Sequence, residues 1–200
     1  MKPKSEFEPM RDVPMGPPPP PFEEASDRRL KTDIRVIGET VQGLPLYSFR
    51  YASGGGVQVG VMAQDVEQVM PEAVTLIDGG YLAVDYAKLG LASLARCNRD
   101  ARSDPAPMGP PPPPNNGMNV DSAVDVVRIG TSQHGAPIYS YRFKDSGVAQ
   151  LGLLASEVAG VSPEAVWTRE DGALKVNYRT LDLIEITHLN AACRRAAGIE

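Results

Sequence analysis

The sequence predicts an α+β protein built from two tandem small repeats, and three observations carry that reading. The run PMGPPPPP occurs at residues 14–21 and again at 107–114. Downstream of each run lies a matching segment at a gapless offset of 92, with 24 identities in the 59 positions of 33–91 against 125–183. Within each copy, strand-like alternation of apolar residues is interleaved with short stretches at helical spacing. The expected order in each repeat is short helix, strand, short helix, β-hairpin and C-terminal helix, with polyproline linkers joining the repeats.

Each element has its own reason. Residues 28–37 form an amphipathic run that reads as a short helix. A Gly-Pro turn then leads to PLYSFRY, residues 45–51, whose alternation reads as a strand. After the glycine-rich ASGGGVQ loop, VGVMAQDVEQVM places Val61, Met62, Val66, Val69 and Met70 near i, i+4 and i+8, a helical spacing that Pro71 terminates. AVTLI and YLAVDY flank an IDGG turn and read as a hairpin. AKLGLASLARCNRDA closes the repeat as a helix. The proline runs favour a stiff extended rod and cannot donate backbone hydrogen bonds, so they read as spacers. The expected division is a disordered proline-rich segment at 1–25, a first repeat at 26–103, a linker at 104–119 and a second repeat at 120–200.

Composition excludes several function classes. A net charge of −5 lacks the clustered basic face of a nucleic-acid binder. No stretch approaches the apolar length of a membrane-spanning helix, and MKPKSEFEPMRDV has no apolar run that reads as a secretory signal. Two cysteines, Cys97 and Cys193, and two distant histidines, His134 and His188, make neither a disulfide framework nor a metal constellation. No cofactor or metal is expected, and no nucleic-acid or membrane partner. The expected place of synthesis is the reducing cytoplasm.

The stretch EEASDRRLKTDIRVIG, residues 23–38, poses the functional question. Ser26 followed by Asp27 has the look of a helix N-cap, with Lys31 as a solvated helix residue. The same two residues have the types of a nucleophile and its base. A serine hydroxyl reacts once a base takes its proton, and lysine serves as that base when burial or nearby positive charge keeps it neutral. Five residues on a regular helix subtend about 500°, so Ser26 and Lys31 would not share a helical face. A working pair therefore needs Ser26 in a turn or extended segment with Lys31 reaching back over it.

SDRRLKTDI, GVMAQDVEQVMPEAV and YLAVDYAKLG resemble, in order and spacing, the C-terminal intramolecular chaperone domain of phage endosialidases and tail fibres. This is a self-cleaving serine peptidase family of the S74 type, whose relatives include the myelin regulatory transcription factors. The resemblance covers about 26–93 and, weakened, 125–183. It implies a domain that drives trimerisation of a fibre segment and then cuts the peptide bond before its leading serine. Carried over, the bond is Ala25–Ser26 and the catalytic pair is Ser26 and Lys31. Asp27, Arg28, Arg29 and Leu30 complete the family's motif, and Gln64 supports it from the A-Q pattern. The implied partners are further copies of the chain, as a homotrimer, or a phage or prophage fibre protein, with the product associated with the virion. The second copy offers a comparison: offset 92 puts Met118 opposite Ser26, Ala123 opposite Lys31 and Ser156 opposite Gln64. That copy reads as a scaffold without a nucleophile. The alternative for the whole chain is a non-catalytic structural or interaction module that assembles with itself or a fibre partner.

Overall fold

The computed structural model describes residues 25–102 and 123–199. The proline-rich segment before Ala25, the 104–119 linker and Met118 lie outside the described residues. The first half runs as β1 (Lys31–Thr40), β2 (Pro45–Tyr51), β3 (Gln58–Gly60), α1 (Ala63–Val69), β4 (Val74–Ile77), β5 (Tyr81–Val84) and α2 (Ala92–Arg102). The second runs as β6 (Ala123–Ser132), β7 (Pro137–Phe143), β8 (Ala149–Gly152), α3 (Ala155–Val161), β9 (Val166–Thr168), β10 (Leu174–Val176) and α4 (Ile184–Ala196). The protein is α+β, with antiparallel pairing throughout the described strands.

One expected element is corrected. Residues 28–37 are not a helix: a single 3-10 turn, Arg28–Leu30, gives way to the ten-residue strand β1. The β-branched residues Thr32, Ile34, Val36, Ile37 and Thr40 favour the pleated backbone, and pairing with β2 satisfies it. Mixed burial along β1 gave it the look of an amphipathic helix, because register shifts at two places interrupt the strict alternation. Val59 and Gly60 likewise belong to β3 rather than to the start of α1.

The strands β4 and β5 form the expected hairpin, closed over Gly79 and Gly80, whose φ values of 80° and 72° suit residues without a Cβ. Pro71 opens a 3-10 turn directly after α1.

Six strands make one sheet in the order β3-β2-β1-β6-β7-β8. Its two halves join where Gly38, Glu39 and Thr40 of β1 face Ser132, Thr131 and Gly130 of β6. Glycine is required at this seam: a Cβ on Gly38 would collide with the Thr131 carbonyl oxygen, and one on Gly130 with that of Glu39. The helices α2 and α4 pack on each other, and each touches both β3 and β8, the opposite edges of the sheet. The sheet therefore curls around the helix pair. One continuous core results, in which Ile37, Leu46 and Leu94 pack in a single group with Ile129, Ile138 and Leu189. The Cys193 thiol donates to the Cys97 carbonyl across the helix pair at 3.2 Å.

Candidate active site

A smaller apolar group lies apart from the main core: Ala25, Leu30, Tyr47, Phe49, Tyr51 and Met62. It forms because β2 turns three aromatic residues to the same side as the chain entering at Ala25. Around it gather most of the residues singled out by the motif.

The entering segment is extended. Ala25 bridges to Ala83 in β5, the Ser26 amide donates to the Leu82 carbonyl at 2.9 Å, and the Ala63 amide donates to the Ser26 carbonyl at 2.9 Å. Ser26 is thus clamped between the β4–β5 hairpin and the start of α1. It is 3% exposed, so a solvated helix cap is the wrong description of it. The capping residue is Asp27, which accepts from the Arg29 amide at 2.9 Å and starts the 3-10 turn.

Asp27 is fully buried and accepts four further bonds: from Arg29 Nε at 3.0 Å and Nη2 at 2.7 Å, from Gln64 Nε2 at 2.8 Å and from the Leu82 amide at 3.1 Å. Burial alone would raise its pKa. The side-chain and backbone bonds from Arg29, with those from Gln64 and Leu82, outweigh burial and hold the carboxyl well below the usual carboxylate range. Gln64 closes the loop by accepting from the Arg28 amide at 3.0 Å. Leu30 packs beneath, its carbonyl accepting from the Ala52 amide at 2.9 Å. Asp27, Arg29, Leu30 and Gln64 therefore hold the backbone on either side of Ser26, whereas Arg28 turns away to Asp65 and Tyr47.

The 3-10 turn leads into Lys31, first residue of β1, whose side chain packs on Phe49 of the same apolar group. Lys31 is 6% exposed; its Nζ donates to the Val61 carbonyl at 3.1 Å and stands 3.8 Å from the centre of the Phe49 ring. Burial, reinforced by the positive charge of Arg102, lowers its pKa from 10.5 to about 7. Asp27 pulls in the opposite direction and is outweighed.

Val61 links this lysine to the serine. Its carbonyl takes the Lys31 bond, and its amide donates at 3.3 Å to Tyr86 Oη, which in turn shares a hydrogen bond with the Ser26 side chain. Burial raises the Tyr86 pKa, so the phenol stays neutral.

The remaining polar group is the Ala25 carbonyl. It accepts from Tyr51 Oη at 2.8 Å, and Tyr51 Oη accepts from Arg102 Nη2 at 2.7 Å. Burial pushes Tyr51 up to about 12. Between these groups lies a cavity of about 30 Å³, lined among others by Ala25, Ser26, Tyr51, Tyr86 and Arg102. That is room for about one water molecule.

The structure thus brings Ala25, Ser26, Asp27, Lys31 and Gln64 together. Sequence reasoning missed Phe49, Tyr51, Tyr86 and Arg102. A signal for one of them was present: at offset 92, Phe49 and Tyr51 become Tyr141 and Phe143, so the hydroxyl is absent from the later position. Arg102 carries no such mark, since Arg194 stands opposite it. From sequence, Arg28 and Arg29 read as structural or surface residues that could act on Lys31 only by pointing inward, and no oxyanion donor is identified among the backbone amides, those at the following helix start included. Arg102 is the larger influence on Lys31, and the helix-start amide of Ala63 serves the Ser26 carbonyl. Among the described residues no cluster of metal-ligating side chains occurs, and no helix is long and apolar enough to cross a membrane.

The site thus holds a buried serine in an extended segment and a buried lysine whose pKa is lowered toward neutrality. A family model agrees with this stretch: the peptidase S74 model, described as chaperone of endosialidase, matches residues 26–75, beginning at Ser26 itself. Over those residues the chain is similar to the intramolecular chaperone domain of that family. Neither the curated proteins nor the solved structures give a match to the chain.

Proposed function

We propose that this tail-fibre-type chaperone domain cleaves its own Ala25–Ser26 bond, with Ser26 as nucleophile and Lys31 as general base. One observation carries the reading: Lys31 is buried with its Nζ on the Val61 carbonyl, while the Val61 amide bonds the Tyr86 hydroxyl that also bonds Ser26, and burial lowers the lysine's pKa to about 7, where a surface lysine would remain charged. Near neutral pH a large fraction of such a lysine is unprotonated. It keeps a lone pair for the serine proton while donating to the Val61 carbonyl.

The step balances as follows. Ser26 Oγ bonds to the Ala25 carbonyl carbon and its proton passes to Lys31. The C–N bond then breaks and Lys31 returns the proton to the Ser26 nitrogen, leaving the Ala25 acyl group as an ester on Oγ. Water hydrolyses that ester, regenerating the Ser26 hydroxyl and giving an Ala25 carboxylate. The water-sized cavity against Ala25 and Ser26 suits this second step.

The repeat relationship enters the proposal too. Equivalent elements start 92 positions apart, as with Lys31 and Ala123 for β1 and β6. Asn98 clasps both the amide and the carbonyl of Val59, and Asn190 does the same to Leu151. We read this as a tandem duplication in which the second copy supplies sheet and core contacts and the first supplies chemistry. Assembly with further copies, or with a phage fibre protein, is the role that the family likeness supports.

The test is the intact mass of the protein beside its Ser26→Ala and Lys31→Ala variants after folding. Loss of the residues before Ser26 in the wild type, with both variants whole, supports the proposal. Retention of full mass by all three refutes cleavage and leaves the non-catalytic assembly module.

A further inference from the structure

We infer that Tyr51, held by Arg102, is a catalytic residue of this reaction, donating the hydrogen bond that stabilises the oxyanion formed on the Ala25 carbonyl. The inference rests on the self-cleavage reading and extends it to groups that lie outside the motif; Arg102 also lies beyond the matched residues.

Attack on a peptide carbonyl moves negative charge onto its oxygen, and a fixed donor at that oxygen lowers the barrier most when it is already in place and shielded from water. Tyr51 Oη sits 2.8 Å from the Ala25 oxygen in the ground state and is buried. The phenol is rigidly placed: its ring meets Phe49 edge to face with centroids 5.5 Å apart, and the Arg102 guanidinium lies 4.6 Å from its ring centroid. Arg102 is itself fixed by Nε donating to Gln58 Oε1 at 3.2 Å. Because Arg102 donates to the phenol oxygen, it polarises the O–H toward the Ala25 carbonyl, and the two bonds reinforce each other.

Arg102 is a positioning residue with a second effect. Lys31 feels Arg102 and Arg28 as like charges and Asp27 and Asp65 as opposite ones. One guanidinium thus strengthens the electrophile and favours the neutral base. The second repeat supports the assignment, since the position opposite Tyr51 is Phe143 in the copy that also lacks Lys31.

The test follows cleavage over time and across pH as full-length chain, purified in urea, is refolded. Tyr51→Phe retains the ring packing and is expected to slow cleavage about 100-fold with its pH midpoint unchanged. Arg102→Gln is expected to slow cleavage and to move the midpoint to higher pH, and Arg102→Lys to restore the midpoint toward the wild-type value. A merely structural role for Arg102 would not move the midpoint. A wild type that cuts, a Ser26→Ala variant that stays whole and a Tyr51→Phe variant that cuts at the wild-type rate overturn this inference alone. A wild type that stays whole overturns self-cleavage itself. If Tyr51→Phe proves unstable to heat, the Arg102→Gln midpoint decides, and an unmoved midpoint counts against the inference.

Discussion

Replacing Lys31 by methionine in a Ser26→Ala background should stabilise the protein at mildly acid pH, and the gain should shrink as pH rises. The background keeps every chain whole. Methionine has a similar length and suits the apolar group of Leu30, Phe49 and Met62. The folded-state pKa of Lys31 is about 7 and the free value is 10.5. At low pH this difference amounts to a cost of about 5 kcal/mol for burying the charge. Between the two values the unfolded chain holds a proton that the folded chain has released, so wild-type stability rises with pH across that window. The cost is largely gone once pH passes 10.5. Losing the bond to the Val61 carbonyl takes about 1 kcal/mol from the variant at every pH. The advantage of Lys31→Met over Lys31 should therefore fall by about 3 kcal/mol between roughly pH 6.5 and pH 9.5. Urea unfolding curves of the two proteins at both pH values measure it directly. An advantage that is the same at both would show that Lys31 titrates like a surface lysine, and the argument for a neutral base would fail.

Further outcomes follow from other parts of the site and fold. Asp27→Asn keeps the shape but removes the charge that Arg29 and two other donors serve, so stability at neutral pH should drop by about 3 kcal/mol in urea titration. Because the Asp27 pKa is depressed in the folded state, its contribution is present above the unfolded value and lost as pH falls through the folded one; the variant's stability should be flatter toward acid than the wild type's. Gly38→Ala forces the β1–β6 seam apart at the Thr131 carbonyl and should cost about 1–3 kcal/mol, read as a lowered melting temperature. Asn98→Ala strands the buried amide and carbonyl of Val59 and should cost a similar amount, about 1–3 kcal/mol per lost buried partner.

What the sequence showed and what it hid have physical causes. PLYSFRY and PIYSYRF were recognisable as strands at their full extent from their aromatic alternation, although β2 buries both faces, Leu46 in the main core and Tyr47, Phe49 and Tyr51 in the smaller group. The hairpin β4–β5 announced itself through Asp78, Gly79 and Gly80. β1 misled because its register shifts break the period-2 signal just where Ser26, Lys31 and an acidic neighbour suggest a capped helix. The joining of both halves into one curled sheet was not legible, since a seam of three residue pairs leaves only Gly38 and Gly130 as marks. At the site, the resemblance pointed to Ser26 and Lys31; Ser26 lies in an extended segment and Lys31 opens β1 after a single 3-10 turn. Tyr51, Tyr86 and Arg102 arrive from β2, the segment after β5, and α2, at 25 to 76 positions beyond Ser26. No motif spacing records a pairing made only by the tertiary fold.

The central claim is most directly tested by top-down mass spectrometry of the folded wild-type protein, reading the N-terminus of its large fragment. The account predicts a fragment that begins at Ser26 with an unmodified amine and hydroxyl. A fragment beginning at any other residue, or a chain still continuous through Ala25–Ser26 after folding at neutral pH, would contradict it.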